Sequence, residues 1–270
     1  MRDDAQRGHP AAPGTVTATR SGHVATITYA NAARRNAVSL AMLEQAEALF
    51  RQLADDDDIR VVIVTGAGDT FVSGADISRF EDERATRAAI DRYNETNYRV
   101  FGFIHDFPKP TIAMIRGHCV GGGLTLAVAC DLRFCADDAK FSLPAAKLGL
   151  GYGFQPLKWF IDLLGPATTR DIFFSARRLD AAEALRIGLV DRCVPVADLD
   201  TATLGYAAGV AENAPVTVSA LKQVSNEILK GPGADLDLCE RLVQRCWDSG
   251  DYVEGRRAFM EKRKPEFKGR

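Results

Sequence analysis

Thr15 to Arg20 and His23 to Tyr29 alternate polar and apolar residues on either side of Ser21-Gly22, a period-two pattern that predicts a β-hairpin. The period then lengthens. Met42, Leu43, Ala46, Leu49 and Phe50 share one helical stripe, and Ser39 stands where its hydroxyl can cap the helix start. Arg60 to Thr65 reads as a buried strand, helices follow within Arg87 to Asp106, and Thr111 to Ile115 is a second buried strand. A helix opening at Gly122 and a strand near Leu132 to Cys135 continue the alternation, which predicts an α/β fold. From Leu199 onward the pattern is helical, with Pro215 at a helix start and Gly231-Pro232-Gly233 as a break before two amphipathic helices. The expected organisation is a disordered tail over 1–14, an α/β core over 15–195 and a helical region over 196–270.

Two of the strand-to-helix breaks are built from small residues. The run Val61 to Gly66 leads into Phe71-Val72-Ser73-Gly74-Ala75-Asp76-Ile77, and Thr111 to Ile115 leads past Gly117 to Gly121-Gly122-Gly123. Glycine lets a backbone N–H approach a ligand closely, and a helix start aims unpaired N–H groups outward. Two such turns facing one another can hold one oxygen that bears developing negative charge, an oxyanion hole. Taken singly, neither segment establishes this, since a lone Gly-Gly-Gly is more often a flexible turn or a tight helix–strand contact.

Bulk properties narrow the function classes. The chain has 270 residues, enough for one sizeable core. Its 34 basic and 36 acidic side chains leave it near neutral, which argues against a nucleic-acid binder that works by phosphate neutralisation. The cysteines, Cys119, Cys130, Cys135, Cys193, Cys239 and Cys246, form no CxxC pair and read as reduced core residues of a cytoplasmic protein. No apolar run reaches the length of a membrane span, and Met1 to Gly14 lacks the apolar segment of a secretion signal. The acidic run Asp55 to Asp58 is read as a solvated connection, and no metal site is expected.

The residues quoted above resemble the enoyl-CoA hydratase/isomerase family, also called the crotonase family, from about Val16 to the C-terminus. Arg35-Asn36-Ala37, Lys109-Pro110-Thr111, Cys130-Asp131, Ala139-Lys140-Phe141, Gly188-Leu189-Val190 and Glu261-Lys262-Arg263 extend the resemblance. It implies a spiral of repeated β-β-α units, a C-terminal helical part used to form a trimer or a dimer of trimers, and an acyl-CoA thioester as substrate. Coenzyme A would enter as part of that thioester, with no separate cofactor. The resemblance places the oxyanion-hole donors on Ala75 and Gly122. It places substrate contacts at Arg35, Ala37, Ser73, Asp76, Ile77 and Gly121, with Phe259 and Lys262 reaching a neighbouring subunit's coenzyme A.

The proton-transfer positions depart from the family pattern. The hydratase branch carries one glutamate three residues after the middle glycine and another after the proline following Ala-x-Phe; here these positions are Thr125 and Ala145. Neither can exchange a proton at neutral pH, so ordinary hydration is not expected. Tyr152 follows a Leu-Gly-x-x segment as a tyrosine does in the methylmalonyl-CoA decarboxylase branch, although that branch has a histidine where Ala75 stands. Tyr152 is read as either a proton donor or a packing ring. Tyr98 falls near a functional histidine of the chlorobenzoyl-CoA dehalogenase branch, whose aspartate nucleophile would fall near Gly153; Tyr98 is read as a pocket wall. His118 reads as a structural or surface histidine, and Lys147 as a solvated lysine or an anchor for a substrate carboxylate. Non-hydratase chemistry such as decarboxylation is therefore favoured, while hydratase/isomerase activity with an unconventional acid and base, or a non-catalytic acyl-CoA-binding relative, stays open.

Overall fold

β1 (Thr15–Ser21) and β2 (Val24–Ala30) form the expected antiparallel hairpin around Gly22, whose φ of 58° is the left-handed value the turn needs. The computed structural model describes residues 14–76 and 85–270. β2 runs parallel to β3 (Val61–Gly66), and the sheet continues in parallel through β4 (Thr111–Ile115), β6 (Leu132–Ala136) and β9 (Arg192–Val194). A second, short sheet holds β5 (His118–Val120), β7 (Lys140–Ser142) and β8 (Leu179–Asp180). Each turn of the chain therefore lays one strand in each sheet, β4 then β5, β6 then β7. A bridge between Val72 and Cys119 carries the same pattern back to the turn after β3. This is the expected spiral.

The uninterrupted apolar runs of β3 and β4 are buried on both faces. Alternate residues serve different cores. Val62, Val64, Ala113 and Ile115 meet Met42, Leu43 and Phe50 of α1 (Leu40–Asp55), whereas Val61, Ile63, Ile112 and Met114 meet Leu199, Ala207 and Ala211 of α7 (Leu199–Ala211). Ser39 caps α1 as expected, its hydroxyl accepting from the Met42 amide at 3.4 Å. α2 (Arg87–His105) is capped by Thr86, and α3 (Gly122–Ala129) is buried on every side after its first residue. Short α4 (Ala145–Leu148) precedes α5 (Phe154–Ser175), which bends at Gly165-Pro166, and α6 (Ala181–Arg186). That break interrupts the apolar stripe of α5, so periodicity alone does not mark the helix.

Beyond β9 the chain is helical, with α7, α8 (Pro215–Leu229), α9 (Leu236–Trp247) and α10 (Gly250–Glu261). Asp131 anchors α8: its carboxylate accepts from Lys222 Nζ at 2.8 Å and from the Thr111 amide at 2.7 Å. α8, α9 and α10 leave Leu221, Ile228, Leu236, Trp247, Phe259 and Met260 exposed.

Candidate active site

Asn36 shapes the first wall. It and Arg35 both hold left-handed φ, 57° and 50°, which costs a non-glycine residue free energy and needs outside support. Asn36 Oδ1 accepts from the Asn31 amide at 3.0 Å, and Nδ2 donates to the carbonyls of Ala67 and Thr70, both at 2.8 Å. These bonds fasten residues 35–38 to the segment entering Ser73. The Val38 amide then donates to Gly74 O at 2.8 Å, and Val38 O accepts from Asp76 N at 2.9 Å. Val38 thus bonds to the residues on both sides of Ala75, so the Ala75 amide faces the other way. Among the described residues, no carbonyl accepts from it.

Each glycine of the triplet does something different. Gly121 turns the chain with a φ of 54° and donates its own amide to Ser142 O at 2.9 Å. Gly122 starts α3, and the first helical bond is from the Thr125 amide to Gly121 O at 3.1 Å, which leaves the Gly122 amide without a carbonyl among the described residues. Gly123 lets the helix press on Val72, whose carbonyl would lie 2.1 Å from an added Cβ. A Cβ built on Gly122 would stand 3.9 Å from the Ala75 nitrogen. The two open amides therefore border one small space.

That space belongs to a cavity of about 410 Å³ that also contains Ser73, Gly121, Thr125, Ala145, Tyr98 and Tyr152 among its walls. Among the described residues, no Asp, Glu, His, Lys or Arg lines it. Thr125 and Ala145, where the hydratase branch has glutamates, both face this cavity. Tyr152 OH lies 3.1 Å from Thr125 Oγ1, and its ring meets Phe173 edge-on at 4.9 Å. Burial raises the Tyr152 pKa above the ordinary phenol value, and the nearby hydroxyls of Tyr98 and Tyr93 add to the shift while the Thr125 bond opposes it. Tyr98 and Gly153 are in contact, since a Cβ on Gly153 would lie 2.6 Å from the Tyr98 hydroxyl oxygen.

Ser73 and Pro144 also border a second cleft of about 360 Å³, where Arg35, Lys140, Lys147, Arg178 and His118 gather. Arg178 was not named from the sequence and Lys140 only within a family motif, because their shared cleft depends on β7 and the segment before β8. Asp76 lines neither space: it is buried and pairs with Arg34 Nη1 at 2.9 Å, holding the first turn. Ala37 is buried beneath the turn, and Ile77 lies outside the described residues. Phe259 is 82 % exposed on α10, and Phe259 and Lys262 line neither cavity. A larger cavity of about 480 Å³ under α8 has Asp131, Lys222 and Arg133 on its walls, but their ion pairs, including Arg133 with Asp191, hold α8 and β9 to the core.

The enoyl-CoA hydratase/isomerase family model matches residues 19–270. The short-chain-enoyl-CoA hydratase of Clostridium acetobutylicum is 32 % identical over 257 residues, which span 93 % of this chain and 97 % of that protein. The carnitinyl-CoA dehydratase of Proteus mirabilis is 33 % identical over 243 residues, 88 % of this chain and 92 % of that protein. A crystal structure of an enoyl-CoA hydratase/isomerase family protein from Hyphomonas neptunium superimposes with a TM-score of 0.91 at 32 % identity, covering 94 % of this chain and 98 % of that one.

Proposed function

The chain belongs to the enoyl-CoA hydratase/isomerase family, and from that premise we propose an acyl-CoA enzyme that holds a thioester enolate between the amides of Ala75 and Gly122. Tyr152 supplies the proton. The observation that carries this reading is the meeting of two open amides and the Tyr152 phenol in a single cavity without a described carboxylate. Preorganised donors of this kind are worth roughly 2.7–4 kcal/mol each to the barrier.

Decarboxylation of a malonyl-type thioester suits such a site. The bond between C2 and the carboxyl carbon breaks, carbon dioxide leaves, and the electron pair passes through C1 to the thioester oxygen. No base has to remove a carbon-bound proton. The apolar walls disfavour the free carboxylate of the ground state. Tyr152 then gives its hydroxyl proton to C2, the thioester carbonyl re-forms, and the phenolate regains a proton from water. Hydration or isomerisation would need a further acid or base, and the described lining offers only other tyrosines for it.

The coenzyme A arm leaves past Ser73 into the cleft of Arg35, Lys140 and Arg178, where the phosphates meet cations. The exposed apolar residues of α8 to α10 are the self-association surface of a homotrimer or a dimer of trimers, which would bring Phe259 and Lys262 to a neighbour's site. No described helix is long and apolar enough to cross a membrane, and a cytoplasmic acyl-CoA enzyme fits this reading. Substituting Gly122 with valine tests the proposal: turnover should collapse while acyl-CoA still binds, and unchanged turnover would remove the oxyanion assignment.

A further inference from the structure

On α2, Ile90, Tyr93, Asn94, Asn97, Tyr98 and Phe101 follow helical spacing, and all six line the 410 Å³ cavity. A stripe turned toward an acyl cavity calls for apolar or aromatic side chains, and four of the six comply. Asn94 and Asn97 do not. They stand one helical turn apart, both half-buried, and neither amide group has a hydrogen-bond partner among the described residues. A local rule broken twice on the same face, with no structural bond in return, marks a position kept for a ligand.

We propose that Asn94 and Asn97 select acyl-CoA thioesters whose acyl part carries a neutral oxygen function, a hydroxyl or a keto group. This rests on the acyl-CoA reading above. A side-chain amide offers both an acceptor and two donors, so it can satisfy either group. A second carboxylate or an ammonium on the acyl part fits poorly, because no charged side chain among the described residues lines the cavity to offset the loss of its water. A purely apolar chain fits poorly for the opposite reason. It would strip water from two amides and give nothing back, a loss of roughly tenfold in affinity for each.

The test compares saturated acyl-CoA thioesters of equal chain length, with and without one hydroxyl on the acyl part, by titration calorimetry. A straight-chain pair and a phenyl-terminated pair would both be used. The hydroxylated member of at least one pair should bind the unaltered protein roughly tenfold or more tightly. The double variant Asn94→Leu/Asn97→Leu should lose that preference and bind the unsubstituted member at least as well. Equal binding of both members in both pairs overturns the proposal without touching the acyl-CoA reading, as does a preference that survives in the double variant. If no acyl-CoA binds at all, the acyl-CoA reading itself fails. The comparison on the unaltered protein stands even if the double variant does not fold.

Discussion

The phenol oxygen of Tyr152 lies 3.1 Å from Thr125 Oγ1, and that hydroxyl is in turn 3.3 Å from the carbonyl of Gly121. The proposed proton donor is thereby tied to the turn that presents the Gly122 amide. Removing the phenol oxygen with Tyr152→Phe should lower kcat by roughly a hundredfold or more, with KM little changed. Thr125→Val keeps the phenol but frees its orientation, and should cost about tenfold. Steady-state kinetics of both variants check this, and a Tyr152→Phe enzyme at full rate would take Tyr152 out of the mechanism.

The pH profile carries the sign of the Tyr152 shift. Burial keeps the phenol protonated beyond its usual range, so the acid form persists as pH rises. The rate should stay level up to the ordinary tyrosine pKa of about 10 and decline only above it. An acid limb near the glutamate range belongs to the substrate's own carboxylate, so the contradicting result is a rate that already falls between about pH 7 and 9.

The neighbouring glycines should separate chemistry from folding. Gly122→Val puts a side chain between the two amides and should reduce kcat roughly a hundredfold or more in a folded protein. Gly123→Ala drives a methyl into the Val72 carbonyl and should instead lower the melting temperature. Thermal denaturation run beside the kinetics distinguishes the two.

Asn36→Ala should destabilise the fold by about 2 kcal/mol, because the carbonyls of Ala67 and Thr70 lose a buried donor. The first turn would loosen with it, so acyl-CoA affinity should fall in step. Denaturant unfolding at equilibrium measures the first effect and calorimetry the second.

Arg35→Ala and Arg178→Ala should each weaken coenzyme A binding several-fold and flatten its dependence on salt. Binding isotherms across a salt series would expose the error if neither variant shifted.

Much of this was legible before the structure. The hairpin, α1 and the buried β3 and β4 follow from periodicity alone, and the family motifs pointed to Ala75 and Gly122. The short strands β5, β7 and β8 were not legible. They run two or three residues each and gain their meaning only when the spiral stacks them. Asp76 reads as a ligand contact from its place in the motif, yet its partner Arg34 lies far off in sequence and only folding brings them together. Asn94 and Asn97 went unnoticed because a polar residue on a helix stripe ordinarily faces water. Their significance depends on knowing that this face lines a cavity.

The most direct measurement is mass spectrometry of thioester products formed in deuterated water from matched malonyl-type and enoyl-type acyl-CoA substrates. The malonyl type should lose carbon dioxide with deuterium delivered to C2, more slowly in Tyr152→Phe and Gly122→Val, and enoyl thioesters should gain no water. Water added to an enoyl thioester at an ordinary enzymatic rate, with the malonyl type untouched, would contradict the proposed chemistry.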